Sequence, residues 1–469
     1  MIVDDNAIIV FGDGFNNSIE MKQGLMIVRL DTTGHLIDSN FITDSMGDAI
    51  TVSQDWGKII KTLDGGYALT AAPYIRNSAF LIKLNYNLEV EFIKEYPDTI
   101  NLSNFDYKLK EAPGGYLLFG SIQLPDYKLQ GFVKYVDSGG DIIWERFYSN
   151  APYGTRVLDL DVISDSLFVF VTVEALTPHK FDDIEEARSG IYKIDLKGNI
   201  LGSWQSGAAP AIGYLRKVIA RQDGSVITFG LARKKIVGPN ELVQPTLAGF
   251  DEHLNMNWIR NVGNISSCFV GCNTIFKFAE TIDGQYVGAG SISAKDGDEP
   301  SRGHGWLYKF SPNGDSTWGR SLPTPFPDYY PNGGTLYGAG VLPGGNIVAG
   351  GMARDAQNKY CWIVKLTNEG CMDTLFCQTV SIPGDPVMEA PGSVNIYPNP
   401  AQSYIRIESP EAVSMVEIAD MLGRAAAVYS GGGQRGLRID FPPGMPGGVY
   451  LAFIRHTNGK TVHKKIYIE

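Results

Sequence analysis

Apolar residues in this chain come in short runs cut by Gly, Pro, Asp and Asn, and no run keeps a helical period. In "GGYLLFGS" (114–121), Tyr116 and Leu118 take one pleat face and Leu117 and Phe119 the other. A strand apolar on both faces needs a packing partner on each side. The same pattern recurs in "TLDGGYALTA" (62–71), "RQDGSVITFG" (221–230), "TIDGQYVGAG" (281–290) and "LPGGNIVAGG" (342–351). With the weaker copies included, the turns are marked by Asp5, Gly65, Gly114, Asp165, Gly224, Gly284 and Gly344. They stand roughly 50–60 residues apart, the range of a propeller repeat.

The rest of each unit recurs in register. An apolar run carries one basic residue: Arg29, Lys83, Lys134, Lys193, Lys309 or Lys365. A second turn follows, then a strand that holds Trp144, Trp204, Trp258 or Trp318 in four units. Each unit reads as four antiparallel strands whose first hairpin closes through a two-residue Gly-containing turn. Sheets that are apolar on both faces are covered when they stand side by side around an axis. The expected fold is all-β, a seven-bladed β-propeller over residues 1–377 followed by a small β-sandwich. Six or eight blades would follow if the degenerate unit at 155–205 were misread. The tryptophans are expected to wedge between neighbouring blades, and the basic residues to be structural or snorkelling side chains.

Connection lengths vary at one end only. The second-to-third connections (174–190, 293–305) and those leading into the next unit (43–57, 264–272, 323–334) are long. In a four-stranded meander these share a face, where binding residues concentrate. Trp56, Phe326, Tyr329 and Tyr330 are candidates there for stacking on a sugar ring or a peptide. Asp296, Asp298 and Glu299 could ligate Ca²⁺, but their spacing does not match an EF-hand and a solvated turn is the simpler reading. No other cofactor is expected.

Composition narrows the function classes. A formal charge of −11 argues against nucleic acid. No apolar run approaches the roughly 20 residues that span a bilayer. HExxH, GxSxG and a phosphate-cradling loop are absent, so no catalytic residue is assigned. The start lacks a basic then apolar leader, and only "MIV" precedes the first turn, so the expectation is that the chain begins upstream. Among the five cysteines, Cys268 with Cys272 and Cys371 with Cys377 are close enough for small disulfide loops in an exported protein. Cys361 lies in an apolar strand and is expected to be a buried thiol.

After Cys377 the texture changes to a Pro/Gly-rich linker, 378–392, and then to a module at 393–469 read as about seven short strands. It contains "YPNP" (Tyr397, Pro398, Asn399, Pro400), "DMLGR" with Gly423 and Arg424, and "GGVYLAFI" with Gly448 and Tyr450. On these motifs it resembles the C-terminal sorting domain of type IX (Por) secretion cargo of Bacteroidetes, an Ig-like β-sandwich. The resemblance implies recognition by the outer-membrane translocon and secretion or display at the cell surface. The function expected is a non-catalytic propeller binding a glycan or protein through its long-loop face. The alternatives are a carbohydrate-active hydrolase or lyase with carboxylates at the channel, and a structural surface component.

Overall fold

The computed structural model describes residues 1–4, 6–16, 22–44, 50–51, 59–73, 78–97, 106–124, 128–148, 153–176, 187–207, 214–237, 240–263, 273–293, 303–322, 334–354, 359–372, 394–398, 401–420, 425–442, 444–459 and 461–468. The chain separates into two compact units, Met1–Ile382 and Pro383–Glu469. The regular elements described are strands, and no described helix is long and apolar enough to cross a membrane.

The first unit holds seven sheets among the described residues: five of four strands, one of five and one of three. Their first strands are, in order, Ile2–Asp4, Ile59–Lys61, Asp106–Ala112, Thr155–Ser164, Tyr214–Ala220, Thr274–Glu280 and Thr335–Val341. The third sheet shows the plan, with Asp106–Ala112, Gly115–Gln123, Leu129–Asp137 and Ile142–Tyr148 pairing antiparallel in chain order. Its second strand is buried on both faces for the reason its sequence predicts. Leu117 and Phe119 pack with Leu160, Phe168 and Phe170 of the fourth sheet. Tyr116 and Leu118 pack with Ala68 and Leu81 of the second.

Each first strand touches that of the next sheet, and the seventh returns to Ile2–Asp4. The sheets therefore follow one another around a closed ring, with their first strands innermost. At the closure, Met1, Ile8, Leu342 and Val348 form one buried cluster. Lys365 Nζ donates to the Thr32 carbonyl at 3.0 Å, from the seventh sheet to the first. All-β sheets arranged in this way are propeller-like.

The turn joining the third and fourth strands is the most regular feature of the ring. Asp31, Asp137, Asp195 and Asp251 each accept backbone N–H groups two and four residues later through Oδ1, at 2.7–3.0 Å. Asn85, Ser311 and Thr367 do similar work. Such side chains mimic a backbone turn and fix its shape. The fourth turn position is left-handed in all seven copies: Gly34, Gly140, Gly198, Gly314 and Gly370, but Leu88 and Leu254 (φ 64° in both).

The preceding sheet leans on that turn. Trp144 Nε1 donates to Leu196 O at 2.9 Å, and Trp318 Nε1 to Asn368 O at 3.0 Å. Trp258 covers Gly314 so closely that a Cβ there would lie 2.3 Å from its ring. Trp204 packs edge-on against Phe250 at 5.0 Å, beside the buried Leu254. The tryptophans are thus inter-sheet wedges.

Two expectations need correction, and a third resolves to one of its two alternatives. Of the five first hairpins that close on glycine, only Pro113–Gly114 is a two-residue turn, with Ala112 pairing Gly115. At 62–66, 221–225, 281–285 and 342–346 three residues intervene, and the last of them has positive φ, the three-residue hairpin with a left-handed end. Of the two readings of the basic residues, the structural one holds: Arg29, Lys83, Lys134, Lys193 and Lys309 are buried, and Lys365 is exposed. Their head groups meet carbonyls, carboxylates and tyrosine hydroxyls of the protein. Lys193 Nζ reaches Glu252 O at 2.5 Å, and Lys309 Nζ reaches Asp283 Oδ2 and Asn368 Oδ1, each at 2.7 Å. Cys361 is exposed, because it lies in the last described strand of the three-stranded sheet.

Among the described residues the second unit holds five strands in one sheet: Asn395–Tyr397, Tyr404–Asp420, Ala425–Asp440, Gly448–His456 and Thr461–Ile468. About seven short strands were expected; among the described residues there are five, and one long strand does the work of two shorter ones. Tyr404–Asp420 pairs Asn395–Tyr397 through its first half and Gly448–His456 through its second, with the register broken between Glu408 and Val413.

Candidate functional site

The innermost strands carry an irregularity that no sequence pattern announces. Sheets four to seven each have a register shift near the start of the first strand, and the paired register skips Leu158, Arg216, Phe276 and Tyr337. A bulge bends the strand and re-aims its side chain, and bulges concentrate at rims and sites. The four positions are equivalent around the ring. They lie at the end of the inner strands from which the long connections enter.

Contacts join them into an arc. Arg216 is 4% exposed; its Nη1 donates to Thr274 Oγ1 at 3.2 Å and its guanidinium lies 5.0 Å from the Tyr214 ring centre. The half-buried rings of Phe276 and Tyr337 meet edge-on at 5.1 Å. Lys108 Nζ donates to the Leu158 carbonyl at 2.9 Å, and Lys277 Nζ to Met1 O at 2.8 Å. Arg156 is half-buried, with a buried Nε that has no hydrogen-bond partner; next to it, the buried Thr155 Oγ1 also has none. Val157 packs toward the third sheet, so pleat alternation sends Arg156 to the opposite side.

Charged residues of both signs lie along these strands: Asp106, Lys108, Arg156 and Arg216 near the long-connection end, Asp159, Lys217 and Lys277 just past the bulges or at the equivalent level, and Asp4, Lys61, Lys110, Glu111 and Asp161 further along. Asp161 takes Lys110 Nζ at 2.6 Å and the Ala220 N–H at 2.9 Å, and Asp159 takes the Val218 N–H at 3.2 Å. Glu111 takes the Leu63 N–H at 2.9 Å, and Asp4 is held by Lys61 and Tyr67. Burial opposes the charge on Lys110, but Asp161 and Asp159 outweigh it and hold its pKa above the ordinary lysine value. These carboxylates are joints between neighbouring sheets.

Most residues singled out in the sequence fall elsewhere. Trp56, Phe326, Tyr329, Tyr330, Cys268, Cys272, Cys377, Asp296, Asp298 and Glu299 lie outside the described residues, as do Asn399, Pro400, Gly423 and Arg424. Cys371 is described and buried at the end of the last outer turn. Among the described residues no cluster of His, Cys, Asp or Glu is arranged to hold a metal.

In the second unit Tyr397 is exposed, Tyr450 is buried, and the Tyr450 hydroxyl donates to Pro446 O at 2.8 Å. Val394, Ile405, Val416, Ile439, Ile454 and Ile466 form its core. Ala401 N donates to Tyr467 O at 2.7 Å and bridges Ile468, tying the segment after "YPNP" to the final strand. This sequence corresponds to a known module. Residues 395–469 are a secretion system C-terminal sorting domain. The sorting domain marks the chain for secretion to the cell surface or beyond, and implies contact with type IX secretion machinery.

No curated protein matches the chain. Among solved structures, a neuraminidase-like protein of A/flat-faced bat/Peru is similar at 9% identity and TM-score 0.40, over 70% of this chain and 91% of that chain. A Synechocystis apocarotenoid oxygenase is similar at 11% identity and TM-score 0.41, over 77% of this chain and 86% of that chain. Likenesses this distant carry no argument about chemistry.

Proposed function

We propose that the chain is a secreted or surface-displayed, non-catalytic seven-bladed β-propeller that binds a glycan or protein through its long-connection face. In this reading the type IX translocon recognises its C-terminal unit, an Ig-like sandwich. The sorting domain at 395–469 is the observation that carries the proposal. The fate of the inner carboxylates supports binding over hydrolysis: Asp4, Glu111, Asp159 and Asp161 are each engaged in joining sheets. A pair of catalytic carboxylates would need to face a substrate cleft.

Export is tested by expressing the full chain and a chain lacking 393–469 in a bacterium with a type IX system, then fractionating the cells. The full chain should reach the surface or medium and the shortened chain should stay in the periplasm; equal surface delivery would refute the export reading. Binding is tested on glycan and protein arrays. Loss of signal on removing 323–334 or 174–190 is expected, and undiminished binding by both deletions would refute the loop-face assignment.

A further inference from the structure

Exposed apolar side chains are not spread evenly over the first unit. Among the described residues, twelve large ones are exposed at the end where the first and third turns lie, against two elsewhere, Phe147 and Tyr360. We propose that this short-turn end carries a second docking surface, centred on the outer strands of the third and fourth sheets, for a protein whose contact face is apolar and rimmed by lysine and arginine. The inference goes beyond the long-connection face proposed above and uses none of its residues.

Each outer strand opens just after its turn. In the third and fourth sheets it opens on two aliphatic residues, Ile142–Ile143 and Ile200–Leu201, all 49–63% exposed. The paired register skips Ile143 and Leu201, so each pair sits at a bulge with both side chains in solvent. The two pairs are neighbours. The turn at 195–199 lies on the third sheet's outer strand, where Trp144 Nε1 donates to Leu196 O and the Tyr148 hydroxyl to Gly198 O, both at 2.9 Å. The same contact joins the sheets before and after: the Tyr96 hydroxyl donates to Gly140 O at 2.7 Å, Asn40 Nδ2 to Leu88 O at 2.8 Å, and Lys193 Nζ to Glu252 O at 2.5 Å. The strand starts therefore follow one another along one rim. Leu36, Ile37 and Val90 extend the apolar arc on one side and Met256 on the other. In the sixth sheet Ser316 and Thr317 fill the equivalent places, so the fold does not require aliphatic residues there.

Charge selects the partner. The turns and strand starts at 31–38, 85–91, 137–143, 195–201 and 251–257 hold nine carboxylates and one lysine. Asp38, Glu91 and Asp141 pair with Arg29, Lys83 and Lys94. Asp31, Asp137, Asp195 and Asp251 hold their own turns' backbone N–H groups, and their charge stays at the surface. Hydrogen bonds from Thr33, Asn199 and Asn255 keep Asp31, Asp195 and Asp251 below the ordinary carboxylate range, so they are ionised at neutral pH. Like charge opposes a second copy of this face and an anionic membrane, whereas a basic protein surface is drawn to it. Apolar anchors within a charged rim are the anatomy of a protein–protein contact.

The test uses the full chain with three synthetic probes: an amphipathic helical peptide of Leu and Lys, its Leu/Glu counterpart, and polylysine. The Leu/Lys peptide should bind, more weakly as salt rises, and the Leu/Glu peptide should not. Polylysine, which has no apolar face, should bind roughly tenfold more weakly. Ile142→Thr, Ile143→Thr, Ile200→Thr and Leu201→Thr together keep strand propensity and remove the aliphatic surface. They should weaken Leu/Lys binding roughly tenfold with an unchanged thermal midpoint. Asp137→Asn with Asp195→Asn keeps both turns, since Asn85 already fills that place in the second sheet, and should weaken binding and flatten its salt dependence. Removing 323–334 should leave the binding unchanged. No binding of the Leu/Lys peptide, equal affinity of the fourfold Thr variant and wild type, or binding of the Leu/Glu peptide would overturn the inference. So would loss of Leu/Lys binding when 323–334 is removed. Self-association in sedimentation, or adsorption to phosphatidylglycerol vesicles, that the Thr substitutions abolish while peptide binding is absent would assign the face to a second copy or a membrane and overturn it too.

Discussion

The outer turns offer a sharp test of how the ring is joined. Gly314 and Gly284 lie in the same sheet and both need a left-handed backbone, with φ +80° and +72°. Their surroundings differ. A Cβ at Gly284 would meet nothing within 4 Å, whereas one at Gly314 would lie 2.3 Å from Trp258 Cζ3 and 2.6 Å from Cη2. Gly284→Ala should cost about 1–2 kcal/mol, the left-handed penalty for a residue with a Cβ. Gly314→Ala carries the same penalty. In addition its methyl must push the indole back by more than an ångström to reach ordinary carbon contact near 3.5–4.0 Å, and such overpacking costs about 1–3 kcal/mol. The expected total is about 2–5 kcal/mol, read by urea unfolding of the purified chain. Trp258→Ala should cost less in the Gly314→Ala background than in wild type, since the clash is then already removed. Equal destabilisation by the two glycine variants, or strictly additive effects of Gly314→Ala and Trp258→Ala, would refute the wedge.

Other outcomes follow from the same joints. Leu254→Gly relieves a strained φ of 64° but removes a side chain only 4% exposed, so a net loss of about 1–2 kcal/mol is expected in urea titrations; a gain in stability would show that strain outweighs burial. Lys309→Met removes one partner of a buried network and leaves Asp283 and Asn368 facing an apolar chain; a loss of about 2–4 kcal/mol is expected, and the paired Asp283→Asn change should recover part of it. Acid stability should fall late. Thr62 and then Lys83 hold the Asp64 carboxyl down at about 2, and although burial opposes it, Lys309, Thr281 and Asn368 hold Asp283 lower still. Groups with depressed folded pKa stabilise above their unfolded value and lose that contribution as pH falls through the folded one. The thermal midpoint should therefore hold down to about pH 4 and drop between about pH 4 and 2, with a shallower drop in Asp283→Asn; a decline beginning near pH 6 would contradict this.

Periodicity in the chain was enough to determine that sheets repeat, that each is apolar on both faces and that they need neighbours. Strand pattern is a local property, and Leu117 against Leu118 already says that both sides of one strand are covered. Tryptophan position was legible for the same reason: a fixed place in a repeat implies a fixed neighbour. The sorting domain was readable because its three motifs are contiguous stretches of sequence. Where the basic residues end up was not legible, since a lysine in an apolar strand snorkels or is buried according to what the next sheet presents. Lys309 is buried because Asn368, in the adjacent sheet, turns its carboxamide oxygen toward it. The bulges at Leu158, Arg216, Phe276 and Tyr337 were equally hidden, because a register shift depends on how two strands accommodate the curvature of the ring. Tertiary structure alone brought Leu158, Arg216, Phe276 and Tyr337 to equivalent places on neighbouring inner strands, from segments scattered over much of the chain: inner strands meet around an axis that no single repeat contains.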